Sequence, residues 1–289
     1  MAKPGNGNHP ELRVSEPRKR TPGSGWILIL AILFVGATFL AWYFSWFGRE
    51  LSDADITKYL NDTNRPRHVQ HALNQIQQRI ERGDPSAKNW YPQLIALGSN
   101  PETQFRLMAA WVMGYDNKSP EFHEALKKLL QDQEPIVRRN AALALVRFGD
   151  ASGRSELLSV LSPYPVRAPV DGVVASSLKE EAEIAQGTLL ARIQHSGEKA
   201  VELRSPLPGR INKILKTNGS QVAVGEEILN LNADEDSVWE ALRALALIGT
   251  REDAPVIQSY VDSPHVSENI REQARLTIKQ VERAASPAK

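Results

Sequence analysis

The 289-residue sequence contains no cysteine. That absence excludes disulfide frameworks, thiolate zinc sites, iron–sulfur clusters and cysteine nucleophiles. Histidine is scarce, at six residues, and no pair has a strong metal or catalytic spacing. His68 and His71 come nearest, three apart on an expected helix, but no third ligand is spaced to complete a zinc site. They are read as surface helix residues. An excess of either charge is also missing: 35 Lys and Arg face 34 Asp and Glu, for a net charge of +1. A nucleic-acid binder needs a basic stripe, and none is present. The chain has no Gly-x-Gly-x-x-Gly, no Walker loop, no Gly-x-Ser-x-Gly and no His-Glu-x-x-His.

One stretch lacks charge altogether. Trp26–Phe47 (WILILAILFVGATFLAWYFSWF) is 22 residues long. As a helix it measures about 33 Å, enough to cross a bilayer core. Twelve of its residues are Leu, Ile, Phe or Val. At roughly −0.4 kcal/mol each they favour insertion by about 5 kcal/mol. Trp26 marks one interface, and Trp42, Tyr43, Trp46 and Phe47 mark the other. A cleaved signal peptide has a shorter apolar core and a small-x-small site after it. Bulky aromatics follow here, so the segment is read as a retained anchor.

Residues 1–25 carry five Lys or Arg against two Asp or Glu, with Arg18, Lys19 and Arg20 just before the span. Beyond it Arg49, Glu50, Asp53 and Asp55 nearly cancel. The positive-inside rule puts the N-terminus in the cytoplasm. The expectation is a single-pass inner (plasma) membrane protein with its bulk extracytoplasmic, in the periplasm of a two-membrane bacterium. The tail, 1–25, is spaced by Pro4, Pro10, Pro17 and Pro22 and is expected to be disordered.

A repeat follows. Arg138–Gly149 (RRNAALALVRFG) and Val238–Gly249 (VWEALRALALIG) share Ala141/Ala241, Ala144/Ala244, Leu145/Leu245 and Gly149/Gly249, one hundred residues apart. Val137, Ala141, Ala144, Leu145 and Phe148 fall on one helical face. Each glycine stands where a helix end favours positive φ. A shorter helix is expected after each copy, at Ser155–Leu161 and Ala254–Val261. Phe105–Gly114 and Ile270–Val281 read as weaker copies, and further helices are expected at Val69–Ile80, Tyr91–Leu97 and Phe122–Leu130. A period of 31–35 residues with two helices per unit is the mark of an α-solenoid. The pattern, with PIVRRNAALALVRFGD as its best stretch, resembles the short HEAT-like repeats also found in phycobilin lyases. The resemblance covers roughly 85–161 and 235–284. It implies a binding surface and no lyase chemistry. Glu134-Pro135 and Asp234-Glu235-Asp236 read as helix caps. Trp90, Trp111 and Trp239 read as core, with the proviso that an exposed one marks a partner site.

Between the copies lies a different kind of sequence with its own duplication. PVDGVVASSLKEEAEIAQGTLLARI (169–193) is echoed by PLPGRINKILKTNGSQVAVGEEILNL (206–231). Pro169 pairs with Pro206, Gly172 with Gly209, Leu178 with Leu215, Ile184 with Val222, Gly187 with Gly225 and Ile193 with Leu231. Short β-rich runs between turn residues, with Asn218-Gly219 as a tight turn, predict an all-β unit. APVDGVV, SPLPGRI, VAVGEEIL and AQGTLLARI resemble the biotinyl/lipoyl family, the barrel-sandwich hybrid. Glu181-Ala182 replaces the family's glycine-containing turn and is one residue shorter. The resemblance implies chain ends that lie close together and a cofactor lysine on the hairpin joining the halves. That connection is Gln194-His195-Ser196-Gly197-Glu198-Lys199-Ala200. It has no methionine, which disfavours biotin, while Glu198-Lys199-Ala200 resembles the lipoyl tripeptide. Lys199 is the one candidate attachment residue; a solvated turn lysine is the reading preferred. Cofactor-free units of this kind occur in periplasmic adaptors of efflux pumps and type I secretion systems.

The expected architecture is therefore multidomain α + β. A transmembrane helix (26–47) follows the cytoplasmic tail (1–25). A HEAT-like α-solenoid (53–161 and 235–284) is interrupted by an all-β barrel-sandwich domain (165–232). The function expected is a membrane-anchored, non-catalytic scaffold or adaptor for other envelope or membrane proteins, with no catalytic residue and no metal. The alternatives are a lipoyl- or biotin-type carrier modified at Lys199 and an accessory subunit of an export or efflux assembly.

Overall fold

The structure, a computed structural model, describes residues 24–46, 50–195, 197 and 199–284. The expectations for residues 1–23 and for Phe47 lie outside these, as do those for the side chains of Tyr43 and Trp46. The chain divides into two units, Met1–Glu50 and Leu51–Lys289.

The first unit holds helix α1 (Ser24–Trp46), 23 residues long. It is apolar all round, and its large hydrophobic side chains from Trp26 to Trp42 are exposed. The Thr38 hydroxyl donates to the Phe34 carbonyl at 2.5 Å, one turn back. Among the described residues this helix is the one long and apolar enough to cross a membrane. A membrane anchor and a signal segment share that property.

The second unit opens with α2 (Asp53–Leu60), α3 (Pro66–Glu81), α4 (Tyr91–Leu97), α5 (Thr103–Met113), α6 (Pro120–Leu129), α7 (Pro135–Arg147) and α8 (Arg154–Val160). It closes with α9 (Glu235–Ile248), α10 (Ala254–Asp262) and α11 (Glu268–Ala284). Proline at the first turn sets φ for α3, α6 and α7, where a lost N–H costs nothing. The Asp234 carboxylate caps α9 by accepting from the Ser237 amide at 2.7 Å. Glu134 occupies the same position before α7 without a side-chain bond. Helices α3, α5, α7, α9 and α11 contact one another in succession, forming one row. One apolar cluster runs from Leu51 to Leu145. A second joins Ala142 of α7 and Leu157 of α8 to Val238, Leu242 and Leu245 of α9 and on to Ile270 and Ala274 of α11. Helices α8 and α9, far apart in sequence, are thus packing neighbours.

Two expectations about these helices need correction. Gly149 has φ +72°, but Gly249 and Gly114 have φ of −69° and −64°. Gly249 is needed for closeness instead, because a Cβ there would strike the Leu245 carbonyl and the Val281 side chain. Trp90 is buried, but Trp111 and Trp239 are each 39% exposed.

Residues between α8 and α9 form eight strands: β1 (Tyr164–Arg167), β2 (Gly172–Ala175), β3 (Glu183–Ile184), β4 (Leu189–Gln194), β5 (Val201–Arg204), β6 (Gly209–Ile214), β7 (Gln221–Val222) and β8 (Glu227–Ala233). They make two antiparallel four-stranded sheets, ordered β1-β8-β6-β3 and β5-β4-β2-β7. Advancing every strand of one sheet by four along the eight-strand cycle gives the other. Taken as β1–β4 and β5–β8, each half of the module therefore supplies two strands to each sheet. The equivalence extends to single bonds. The Gly187 amide donates to Ser205 and the Gly225 amide to Ala168, both at 2.8 Å. Gly172 and Gly209 each lie where a Cβ would collide with a backbone carbonyl on the neighbouring strand, that of Gln194 and Asn232 respectively. Glu181, at φ +67°, is the counterpart of Gly219, at φ +86°. Their amides donate to Ile211 and Val174, each at 2.8 Å. The shorter turn thus keeps its left-handed residue without a glycine. Strands β1 and β8 pair through Tyr164 and Leu231, so the chain enters and leaves this β module side by side.

Candidate functional site

Charged side chains first serve to join successive helical hairpins. Arg106 on α5 donates to both Asp132 oxygens at 2.7 and 2.9 Å and to the carbonyls of Asn100 and Pro101. Arg138 on α7 repeats this on the carbonyls of Asp132 and Gln133. The Tyr91 hydroxyl donates to Asp116 at 2.7 Å, and His123 Nε2 meets Asp150 at 2.6 Å. Arg154 of α8 closes the series across the β module. Its Nε and Nη2 donate to Asp253 at 2.8 and 2.5 Å, and Nη2 also to the Thr250 hydroxyl at 2.7 Å. Asp253 is buried. These groups are fully committed to structure.

His68 and His71 are likewise engaged, and both are half-buried, not on the free surface. His68 contacts Asp62 at 2.8 Å and stacks on Tyr59 with ring centres 4.2 Å apart. His71 contacts Gln75 at 3.1 Å. Among the described residues no group of three or more His, Asp or Glu could hold a metal ion.

Lys199 is exposed on the connection between β4 and β5, two residues before Val201. Neighbouring Ser196 and Glu198 lie outside the described residues. His195 Nδ1 meets the Asp171 carbonyl at 2.7 Å.

A cleft of about 890 Å³ lies between the start of α5, Glu134 and the edge strands β1 and β5. Leu107, Tyr164, Val166 and Leu203 are among its lining residues. Its two arginines are held in place: Arg167 by Glu227 and the Gly225 carbonyl, Arg204 by Glu202 and the Gly187 carbonyl.

A different surface is uncommitted. On α5, Trp111 meets Tyr115 edge-on with ring centres 5.1 Å apart. The Arg147 guanidinium of α7 lies 4.5 Å over the Tyr115 ring. On α9, Arg243 lies 4.5 Å over Trp239, and Leu247, one turn further, is 77% exposed. Glu240 sits within electrostatic range of both Arg147 and Arg243. Partial desolvation pushes the Glu240 carboxyl up, Asp236 and Asp234 add to this, and the two arginines oppose it. Trp111 with Tyr115, Arg147, and Glu240 with Arg243 and Trp239 thus form a strip across three consecutive helices of the row. The helical period could have flagged it, since Trp239, Arg243 and Leu247 lie four apart, on the face away from Ala241 and Leu245.

One comparison with known proteins bears on the helices. No curated protein is a significant match to this chain. A solved structure described as a single-chain, multi-domain long-chain acyl-CoA carboxylase shares 22% identity, with a TM-score of 0.24. The alignment covers 45% of this chain and 13% of that one, so this chain spans a small part of its length. The family model for HEAT repeats matches residues 91–170. Helices α4 to α8 lie within that match and are HEAT-like; its last residues run through β1.

Proposed function

We propose that this chain is a membrane-anchored, non-catalytic scaffold that holds other envelope proteins on the extracytoplasmic side. One observation carries the reading: the helical row continues past the β module and leaves an aromatic and arginine strip uncovered on three of its helices. Trp, Tyr and Arg are the residue types that dominate binding energy at protein interfaces. HEAT-like stacking supplies the extended surface on which such proteins hold partners. Helix α1 serves as the anchor in this reading, and the charge bias of residues 1–25 orients it.

The β module is read as a biotinyl/lipoyl-like barrel-sandwich domain acting as a docking element. Support comes from the interchange of its two sheets under the duplication and from the adjacency of β1 and β8. A carrier role gains some support from the exposed position of Lys199 between the halves. Intact mass of the native protein tests it, and an unmodified Lys199 peptide removes it.

The scaffold reading is tested by in-cell photo-crosslinking from exposed positions on several helices, such as Gln70, Lys127 and Gln258. Covalent adducts to envelope proteins are expected from at least one face. No adduct from any position overturns the reading, as does purified chain that turns over a substrate unaided. Transporter subunits among the adducts would place the scaffold in an export assembly. Orientation is read on the cysteine-free background: Lys127→Cys is expected to react with an impermeant maleimide in intact spheroplasts and Asn8→Cys is not.

A further inference from the structure

The strip on α5, α7 and α9 has a chemistry of its own. Arg147 and Arg243 make no side-chain hydrogen bond or ion pair among the described residues, unlike Arg79, Arg106, Arg138 and Arg154. Their guanidinium carbons lie 4.5 Å over the Tyr115 and Trp239 rings, a cation–π contact that restrains each group without using a hydrogen bond. A guanidinium held in this way is prepared for bidentate contact with a carboxylate and loses little freedom in making it. The apolar groups at the two ends, Trp111 on one side and Trp239 with Leu247 on the other, are partly or largely exposed.

Resting on the scaffold reading, we infer that this strip docks an acidic, amphipathic segment of a partner protein, which brings one carboxylate to Arg147, another to Arg243, and apolar side chains to Trp111 and Leu247. The two guanidinium groups left without an ion pair each call for one carboxylate, and that selects the occupant. Glu240, on the same helix as Arg243, is within electrostatic range of both arginines, and Glu235 and Asp236 occupy the first turn of that helix. Both signs of charge therefore occur along the strip. An anionic lipid surface would press negative charge against Glu240 and Asp236 as well as against the arginines. A protein segment can place its carboxylates singly and avoid them.

The test uses the full-length chain in its native membrane, with benzoylphenylalanine replacing Leu247 in one strain and Trp111 in another. Irradiation is expected to give a protein adduct at both positions. Tandem mass spectrometry of the adduct is expected to map it to a segment with at least two Asp or Glu beside aromatic or aliphatic residues. In the Leu247 strain, Arg147→Glu with Arg243→Glu is expected to reduce the adduct at least fivefold. Arg147→Lys with Arg243→Lys keeps the charge but not the fork and is expected to give a smaller loss. All four changes are on exposed side chains, and an unchanged melting curve checks the fold. Lipid adducts, no adduct at either position, or protein adducts indifferent to charge reversal each overturn the inference. Adducts from other helices with this strip silent would sink it while leaving the scaffold reading standing.

Discussion

Arg154 and Asp253 stand 99 positions apart and share two hydrogen bonds, with the carboxylate almost wholly out of water. Asp253 also accepts from the Thr250 amide at 2.8 Å, so its lone pairs are well used. Removing one partner of a buried pair leaves the other uncompensated, which costs about 3–5 kcal/mol, less here because Arg154 is partly exposed. Asp253→Ala is expected to lower unfolding stability by about 2–3 kcal/mol in urea titration. A change below about 0.5 kcal/mol would show that the pair does not hold the two parts of the helical row together. The second residue of note is Glu181, a non-glycine in the left-handed region. A side chain costs about 1 kcal/mol there, and its ion pair with Arg210 is solvent-exposed and worth little. Glu181→Gly is expected to raise the midpoint of thermal unfolding slightly, and Gly219→Ala, at the equivalent position, to lower it. Equal effects of the same sign would refute the equivalence of the two turns.

Elements of the helical row depend on ionised carboxylates. Burial pulls the Asp132 carboxyl up, but the Arg106 hydrogen bonds, the Glu134 amide and the charges of Arg106 and Arg138 outweigh it and hold it below the usual range. Asp150 is held low by the Ser152 hydroxyl and amide and by His123, against a smaller effect of burial. A carboxyl whose folded pKa is depressed stabilises the fold fully above its unfolded value, about 3.9. That contribution is lost as pH falls through the lower folded value. The row is therefore expected to keep its stability down to about pH 4 and to lose it below. Asp132→Asn should shrink the difference between urea midpoints at pH 7 and pH 3. An unchanged difference would mean that Asp132 is not a source of it.

What the sequence disclosed at this scale follows from how local each signal is. Helices α3 to α11 were legible, the longer ones through a 3.6-residue apolar period such as Val137, Ala141, Ala144 and Leu145. Helix α2, in which Ile56 and Leu60 alone are buried, was not singled out. The strand duplication was visible through its glycines and apolar pairs, because two halves that interchange sheets need the same residues at the same contacts. The roles of Gly249 and of Trp111 and Trp239 were misread. Each depends on what lies across from it in space, such as Val281 for Gly249 and Arg243 for Trp239, and no local pattern encodes that.

For the second unit as a whole, the helical row has a junction of its own across the β module. Tyr164 faces Leu231 across adjacent antiparallel strands, where Cα atoms lie about 5 Å apart. Helices α7 and α8 reach α9 directly. Replacing residues 163–233 by a three-residue Gly-Ser link is therefore expected to leave a helical chain that still unfolds cooperatively. Circular dichroism and urea titration would check this, and a non-cooperative transition would show that the module carries the junction.

The same arrangement imposes a timetable on synthesis. When α8 leaves the ribosome, the faces of Ala142, Leu157 and Val160 that α9 will cover have nothing to meet. The strands from Tyr164 to Ala233 must be translated first. At roughly 5–20 residues per second, these about 70 residues take some 4–14 s. For that interval the nascent chain shows a greasy, half-built end, a natural moment for a chaperone to hold it or for a copy to trespass on its neighbour.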